Sequence, residues 1–116
     1  MFNAEGVKIL FYAQPIDMRN SIDGLSMMVA QHLSSEGKSG TLHVFYNKGK
    51  DKLKILYWER NGFCLWYKRL EKERFKISEM SETGVELTTQ QLRWILDGLD
   101  YTKLQGHKEL KYSVYY

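Results

Sequence analysis

One cysteine, Cys64, and one proline, Pro15, are all this 116-residue chain holds of either residue type. A single cysteine excludes an intramolecular disulfide and a four-cysteine zinc site, and it fits a reducing compartment. No apolar run approaches the roughly 18–20 residues needed to cross a bilayer, which excludes a membrane protein. The opening Met-Phe-Asn-Ala-Glu-Gly lacks the basic start, apolar core and small-residue cleavage site of a secretory signal. The expectation is a cytoplasmic protein without membrane contact.

Material for catalysis is also scarce. His32, His43 and His107 have no ligand spacing, and no Ser-His-Asp arrangement or phosphate-cradling glycine loop is present. Metal-dependent nucleases bring two or three carboxylates to divalent ions about 4 Å apart. The candidates Asp17, Asp23, Asp51, Glu59, Asp97 and Asp100 each have a local role instead. Asp17 suits a helix N-cap, Asp23 lies four residues after Arg19, Asp51 sits in a turn, and Asp97 and Asp100 flank a helix end. Cys64 falls mid-strand among large apolar neighbours, where an inert thiol is expected. The sequence therefore predicts no catalytic residue, no metal and no cofactor, with a metal-dependent nuclease as the weaker alternative.

What is abundant is aromatic and basic. There are sixteen aromatic side chains (three Trp, eight Tyr, five Phe), and 43% of the chain is hydrophobic, enough for one core. Between Val44 and Lys76 stand ten basic and four acidic residues, a local +6; the remainder, seven basic against ten acidic, carries −3. Such asymmetry suits an anionic partner, although solvated lysines are the commoner reason for a cluster.

The densest stretch is Leu53–Leu70. Two alternating runs, Leu53–Trp58 and Phe63–Tyr67, flank a polar break with Asn61-Gly62, which predicts two antiparallel strands and a tight turn. Alternation suggests that Leu53, Ile55 and Tyr57 share a core face with Phe63, Leu65 and Tyr67. Lys54, Leu56, Trp58, Cys64, Trp66 and Lys68 would then line the other. Upstream, Val7–Ala13 reads as a strand stopped by Pro15. A helix follows from an Asp17 cap to about Leu33, with Met18, Ile22, Leu25, Val29 and Leu33 in one stripe. Gly24 inside it suggests close packing against another backbone. Thr41–Tyr46 is a further strand. Phe75–Ile77 and Val85–Leu87 suggest a small hairpin around Glu82-Thr-Gly84. Thr88-Thr-Gln-Gln91 is a capping box opening a helix that buries Leu92, Ile95, Leu96 and Leu99, with Gly98 as its stop. The order β-α-β-β-β-(β)-α predicts an α+β fold: an antiparallel meander sheet of four to five strands with two main helices on one face. Residues 1–101 read as one domain and 102–116 as a tail, disordered or forming a late strand at Leu110–Tyr115.

Three blocks together resemble a known family: Pro15-Ile-Asp-Met-Arg19 with Asp23-Gly-Leu25; Ser39-Gly-Thr-Leu-His-Val-Phe45 with Asp51-Lys-Leu-Lys-Ile-Leu56; and Gly62-Phe-Cys-Leu-Trp-Tyr-Lys-Arg-Leu-Glu71 ending in Arg74-Phe75. Leu87-Thr88, Gln91-Leu92 and Leu96-Asp-Gly-Leu99 extend the match. The pattern is similar to the small TnpB accessory proteins of the sixty-six class of bacterial insertion sequences, unrelated to the RNA-guided nuclease of the same name. Ile16 replaces a usual Thr, the loop Asn47–Lys50 is less arginine-rich, and the usual Asp-Pro-Phe before Ser39 is missing. The resemblance implies a role in transposition, a DNA recombination process, beside a separate transposase.

Phosphates are met by Lys and Arg, and single-stranded bases stack on aromatic faces for roughly 1–3 kcal/mol each. The candidate DNA-binding residues are Lys48, Lys50, Lys52, Lys54, Trp58, Trp66, Lys68, Arg69, Lys72 and Arg74. The opposing reading has the aromatics covered by a helix and the lysines snorkelling at the rim. Asp17 and Arg19, at a strand-to-helix corner, are candidate partner-binding residues. Tyr, Trp and Arg are favoured interface anchors, so docking on a transposase or self-association is the alternative.

Overall fold

The computed structural model of the protein describes residues 7–30, 40–77, 84–100 and 102–103. Its elements are β1 (Lys8–Phe11), α1 (Ile22–Val29), β2 (Thr41–Tyr46), β3 (Lys52–Glu59), β4 (Gly62–Arg69), β5 (Val85–Leu87) and α2 (Thr89–Leu96). The strands form one five-stranded sheet in the order β4-β3-β2-β1-β5. This is the expected α+β class, mostly antiparallel, with β2, β3 and β4 in a meander.

Two features differ from the expected layout. β1 and β2 are parallel, with Ile9 beside Leu42 and Phe11 beside Val44. A helix-containing connection allows this, because the chain returns to the starting end before re-entering the sheet. The helices also take opposite faces. Leu92, Ile95 and Leu96 of α2 pack with Ile9, Phe11, Val44, Leu53 and Ile55, while Leu25 and Val29 of α1 pack with Phe45 and Leu56. Each fully buried Leu or Ile adds roughly 1.5–3 kcal/mol, so both faces contribute to stability. A covered second face is why the strands carry apolar residues on both sides, and β2 is buried at all six positions.

The β3–β4 register corrects the predicted faces. The turn has two residues, Arg60 and Asn61, and Glu59 stands opposite Gly62. Tyr57 is then opposite Cys64, Ile55 opposite Trp66, and Leu53 opposite Lys68. Lys54 pairs with Tyr67, Leu56 with Leu65, and Trp58 with Phe63. Odd positions of β3 thus share a face with even positions of β4, the reverse of the sequence reading. Any two-residue turn, at Asn61-Gly62 as much as at Arg60-Asn61, sets odd positions of one strand against even positions of the other. The predicted faces would have needed a turn with an odd number of residues. Trp58 and Trp66 therefore lie on opposite faces.

Other boundaries move for local reasons. α1 begins after Ser21, not at Asp17. The Asp17 carboxylate accepts the Arg19 N–H at 2.9 Å and the Asp17 carbonyl accepts the Asn20 N–H at 3.0 Å, so Asp17 closes a turn ahead of the helix. The expected helix end at Leu33 lies outside the described residues. A Cβ on Gly24 would meet Asn20 Oδ1 at 2.5 Å, so the close neighbour is a side chain and not another backbone. Phe75–Ile77 forms no strand; β5 instead pairs antiparallel with β1. The capping box is present: Thr88 Oγ1 accepts the Gln91 N–H at 3.1 Å, and Gln91 Oε1 accepts the Thr88 N–H at 2.9 Å. Leu92, Ile95 and Leu96 are buried, whereas Leu99 is exposed. The expected late strand at Leu110–Tyr115 lies outside the described residues. Among those described, no helix is long and apolar enough to cross a membrane.

Candidate nucleic-acid interface

The ten predicted contact residues fall into three groups once their partners are known. Three lysines are internal clamps on backbone carbonyls. Lys54, only 7% exposed, donates to the carbonyls of Met18 and Asn20, both at 2.8 Å, and its ammonium lies 5.2 Å from the Tyr67 ring centroid. Burial pulls its pKa below the ordinary lysine value. Lys68 donates to the Leu96 carbonyl at 2.9 Å, placing a cation at the C-terminus of α2. Lys50 donates to the Ile77 carbonyl at 2.9 Å, tying the segment after β4 to the β2–β3 turn.

The second group is an exposed basic rim at one end of the sheet. Asn47 and Asp51 build the β2–β3 turn: Asn47 Nδ2 donates to Asp51 Oδ1 at 2.7 Å, and Lys52 N–H donates to Asn47 Oδ1 at 2.9 Å. The Asn47 hydrogen bond, helped by Lys52, holds the Asp51 carboxyl below its usual pKa. Lys52 stands opposite Arg69, and the chain after β4 crosses the turn through Leu70 N–H on the Asp51 carbonyl and Phe75 N–H on the Lys50 carbonyl. This brings Lys48, Lys52, Arg69, Lys72 and Arg74 to the same end. Lys52 pairs with Asp51 at 3.3 Å and Arg69 with Glu71 at 2.9 Å. Lys48, Lys72 and Arg74 are exposed and make no ion pair with a described residue. Exposed Lys76 follows on this segment.

The aromatics form the third group. Trp58 meets Phe63 edge-to-face, centroids 5.0 Å apart, and its Nε1 donates to the Arg60 carbonyl at 3.1 Å. Both rings are half-buried at the β3–β4 turn, the end of the hairpin remote from the basic rim. Trp66 packs half-buried against the α2-side core. One hairpin thus offers cations at one end and aromatic surface at the other.

Asp17 and Arg19 form an exposed pair, with Arg19 Nη2 2.6 Å from Asp17 Oδ2 and the arginine side chain 92% exposed. Hydrogen bonds from Arg19 hold the Asp17 carboxyl at a pKa of about 2. Arg19 therefore pairs with Asp17 and not with Asp23. His43 is buried and shares a 2.8 Å hydrogen bond with Tyr12 Oη, while Cys64 is half-buried. Among the described residues, no group of three His, Cys, Asp or Glu side chains could hold a metal ion. The sequence reading missed the clamping roles of Lys50, Lys54 and Lys68. It also missed a mainly apolar cleft of about 480 Å³ between the chain leaving β1, Met28 of α1, and β5. Alternation carries no signal for either, since both depend on contacts between distant segments.

The family model for IS66 Orf2-like proteins matches residues 7–106. The chain belongs to that family. All three sequence blocks and the C-terminal helix fall inside the matched span, which places the protein among the accessory proteins of insertion sequences. It is similar to the uncharacterized protein y4jC of Sinorhizobium fredii, 28% identical over 102 residues, covering 88% of this chain and 87% of that protein. The uncharacterized protein y4hO of the same bacterium is 26% identical over 99 residues, covering 85% and 86%. No solved structure matches.

Proposed function

We propose that this member of the IS66 Orf2-like family is a non-enzymatic accessory protein that assists DNA transposition by binding transposon DNA through the basic rim. The observation that carries this reading is the gathering of exposed Lys48, Lys72 and Arg74 at one end of the sheet, beside the paired Lys52 and Arg69. Cations without an internal partner are the ones available to phosphates, and each phosphate contact releases condensed counterions. Lys50, Lys54 and Lys68 drop out of the contact set because their ammonium groups already hold the fold together. With no base-reading element among the described residues, contact is to the phosphate backbone and is sequence-tolerant.

The hairpin's opposite end favours a second, compatible role. The Trp58–Phe63 pair and the neighbouring exposed Arg60 are residue types enriched at protein interfaces, and they suit docking on the transposase of the same element.

A gel shift of labelled transposon-end DNA, with and without purified transposase, separates these roles. The wild-type chain should retard DNA alone, with affinity falling steeply as salt rises. Lys48→Glu, Lys72→Glu and Arg74→Glu together should abolish retardation while far-UV circular dichroism stays unchanged. Undiminished retardation by the triple variant would sink the DNA reading. If Trp58→Ala leaves capture of transposase unchanged in the absence of DNA, the aromatic end is not the docking site. Metal-dependent cleavage of transposon ends by this chain alone would overturn the non-enzymatic assignment.

A further inference from the structure

β4 is an outer strand: it pairs with β3 on one side and with no described strand on the other. The two-residue turn makes Glu59–Gly62 a hydrogen-bonded pair, and alternation extends this to Tyr57–Cys64, Ile55–Trp66 and Leu53–Lys68. The Leu70 N–H on the Asp51 carbonyl, at 2.8 Å, keeps the same phase beyond the strand end. The N–H and C=O groups of Phe63, Leu65 and Tyr67 therefore point away from β3, along the open edge. Natural edges are blunted by proline, bulges, brevity or inward charge. This one is eight residues long, has no proline, and carries no charge before Lys68.

We propose that β4 pairs antiparallel with β4 of a second copy of this chain, about a two-fold axis through Leu65. In that register Phe63 stands opposite Tyr67, and Leu65 opposite its own copy. Every N–H and C=O that Phe63, Leu65 and Tyr67 point outward then meets its complement on the other edge. On the α2-side face Cys64 stands opposite Trp66, a small side chain beside a large one. Lys68 falls opposite Gly62 and Arg69 opposite Asn61, so no cations confront each other across the seam. A two-fold through Tyr67 would keep the hydrogen-bond phase but set Lys68 against Trp66 and Arg69 against Leu65. A two-fold through Phe63 would set Leu65 against Asn61. The Leu65 axis alone matches apolar with apolar and leaves the charges at the ends. The product is an isologous dimer with one continuous ten-stranded sheet and a basic rim on each half.

Analytical ultracentrifugation of the full chain should give twice its 13.7 kDa mass. Tyr67→Pro removes an outward N–H without costing a backbone hydrogen bond to β3, though it also removes the ring beside Lys54, and should yield a monomer with unchanged far-UV circular dichroism. In a Cys64→Ser background, Leu65→Cys should form an oxidised dimer on a non-reducing gel. Tyr67→Cys should not, because it lies four residues from its own copy along the seam. A wild-type monomer at every soluble concentration, as would follow if the C-terminal tail occupied the edge, overturns the proposal. So does a dimer that survives Tyr67→Pro, or cross-linking by Tyr67→Cys equal to that by Leu65→Cys. Should the proline variant fail to fold, the two cysteine variants decide.

Discussion

Lys54 shows how a single side chain changes meaning when its partners are known. Its charge sits in a chamber closed by two backbone carbonyls and the Tyr67 ring. Removing the ammonium strips the Met18 and Asn20 carbonyls of their donor, and an unsatisfied buried acceptor costs about 1–3 kcal/mol. Lys54→Met should lower stability to urea by about that amount. A variant that charge-reversed Lys54, Lys68 and Arg69 would lose DNA retention through misfolding, so Lys48, Lys72 and Arg74 are the informative positions. Tyr12 makes a second prediction at this scale. Burial raises its phenol from the usual 10 to about 12. The unfolded chain releases this proton first as pH climbs, so the contribution is complete below pH 10 and is lost between 10 and 12. A spectrophotometric titration of the phenolates should show a late-ionising group that Tyr12→Phe removes.

Among the elements, the β3–β4 hairpin and α2 carry the clearest local signals and the clearest tests. At the hairpin turn, Asn61 N–H donates to the Glu59 carbonyl at 2.6 Å across Arg60, whose φ is +56°. That conformation is strained for any residue with a Cβ, at about 1–2 kcal/mol. Arg60→Gly should therefore raise the urea unfolding midpoint, because the relieved strain exceeds the roughly 0.4–1 kcal/mol that the freer unfolded glycine costs. At the start of α2 both capping-box hydrogen bonds are made. Thr88→Ala should cost about 0.5–2 kcal/mol in chemical denaturation and loosen the helix that covers the Ile9–Ile55 face. Both elements were legible in advance: Leu53–Leu70 alternates around a polar break, and Thr88 and Gln91 stand at capping-box spacing. The turn itself was misplaced by one residue. Asn61-Gly62 is the stronger turn dipeptide, yet the chain bends at Arg60-Asn61, and cross-strand packing decides between such neighbouring options.

At the scale of the whole molecule, the basic excess of residues 44–76 splits into charge that holds the fold and charge that faces outward. Only the outward part can respond to an anionic partner. The salt dependence of DNA retention should therefore follow the few rim cations and not the ten bases of the stretch: the slope of log K against log salt should fall by roughly 0.7–0.9 for each rim cation neutralised. Neutralising Lys48 and Lys72 singly, then together, measures this directly. The exposed β4 edge belongs to the same scale, since pairing two copies there would double the number of rims presented to one DNA.

Local pattern alone determined most of the elements, though not the Phe75–Ile77 segment or the start of α1, and it determined the α+β class and the family. Those depend on periodicity, caps and ordered residue blocks, which a linear chain records directly. It also recorded that the middle of the chain is rich in cations and aromatics. Tertiary structure decided which of those groups remain outside. The parallel β1–β2 pair goes with α1 and α2 on opposite faces, so both faces of the sheet became core, and the aromatics left open by the sequence are half-buried against it. Trp58 and Trp66 stand on different sides, as any two-residue turn between these strands requires, while carbonyls from distant segments claimed Lys50, Lys54 and Lys68. Whether a lysine faces solvent or a carbonyl some thirty residues away is a property of long-range packing. No window of sequence contains it.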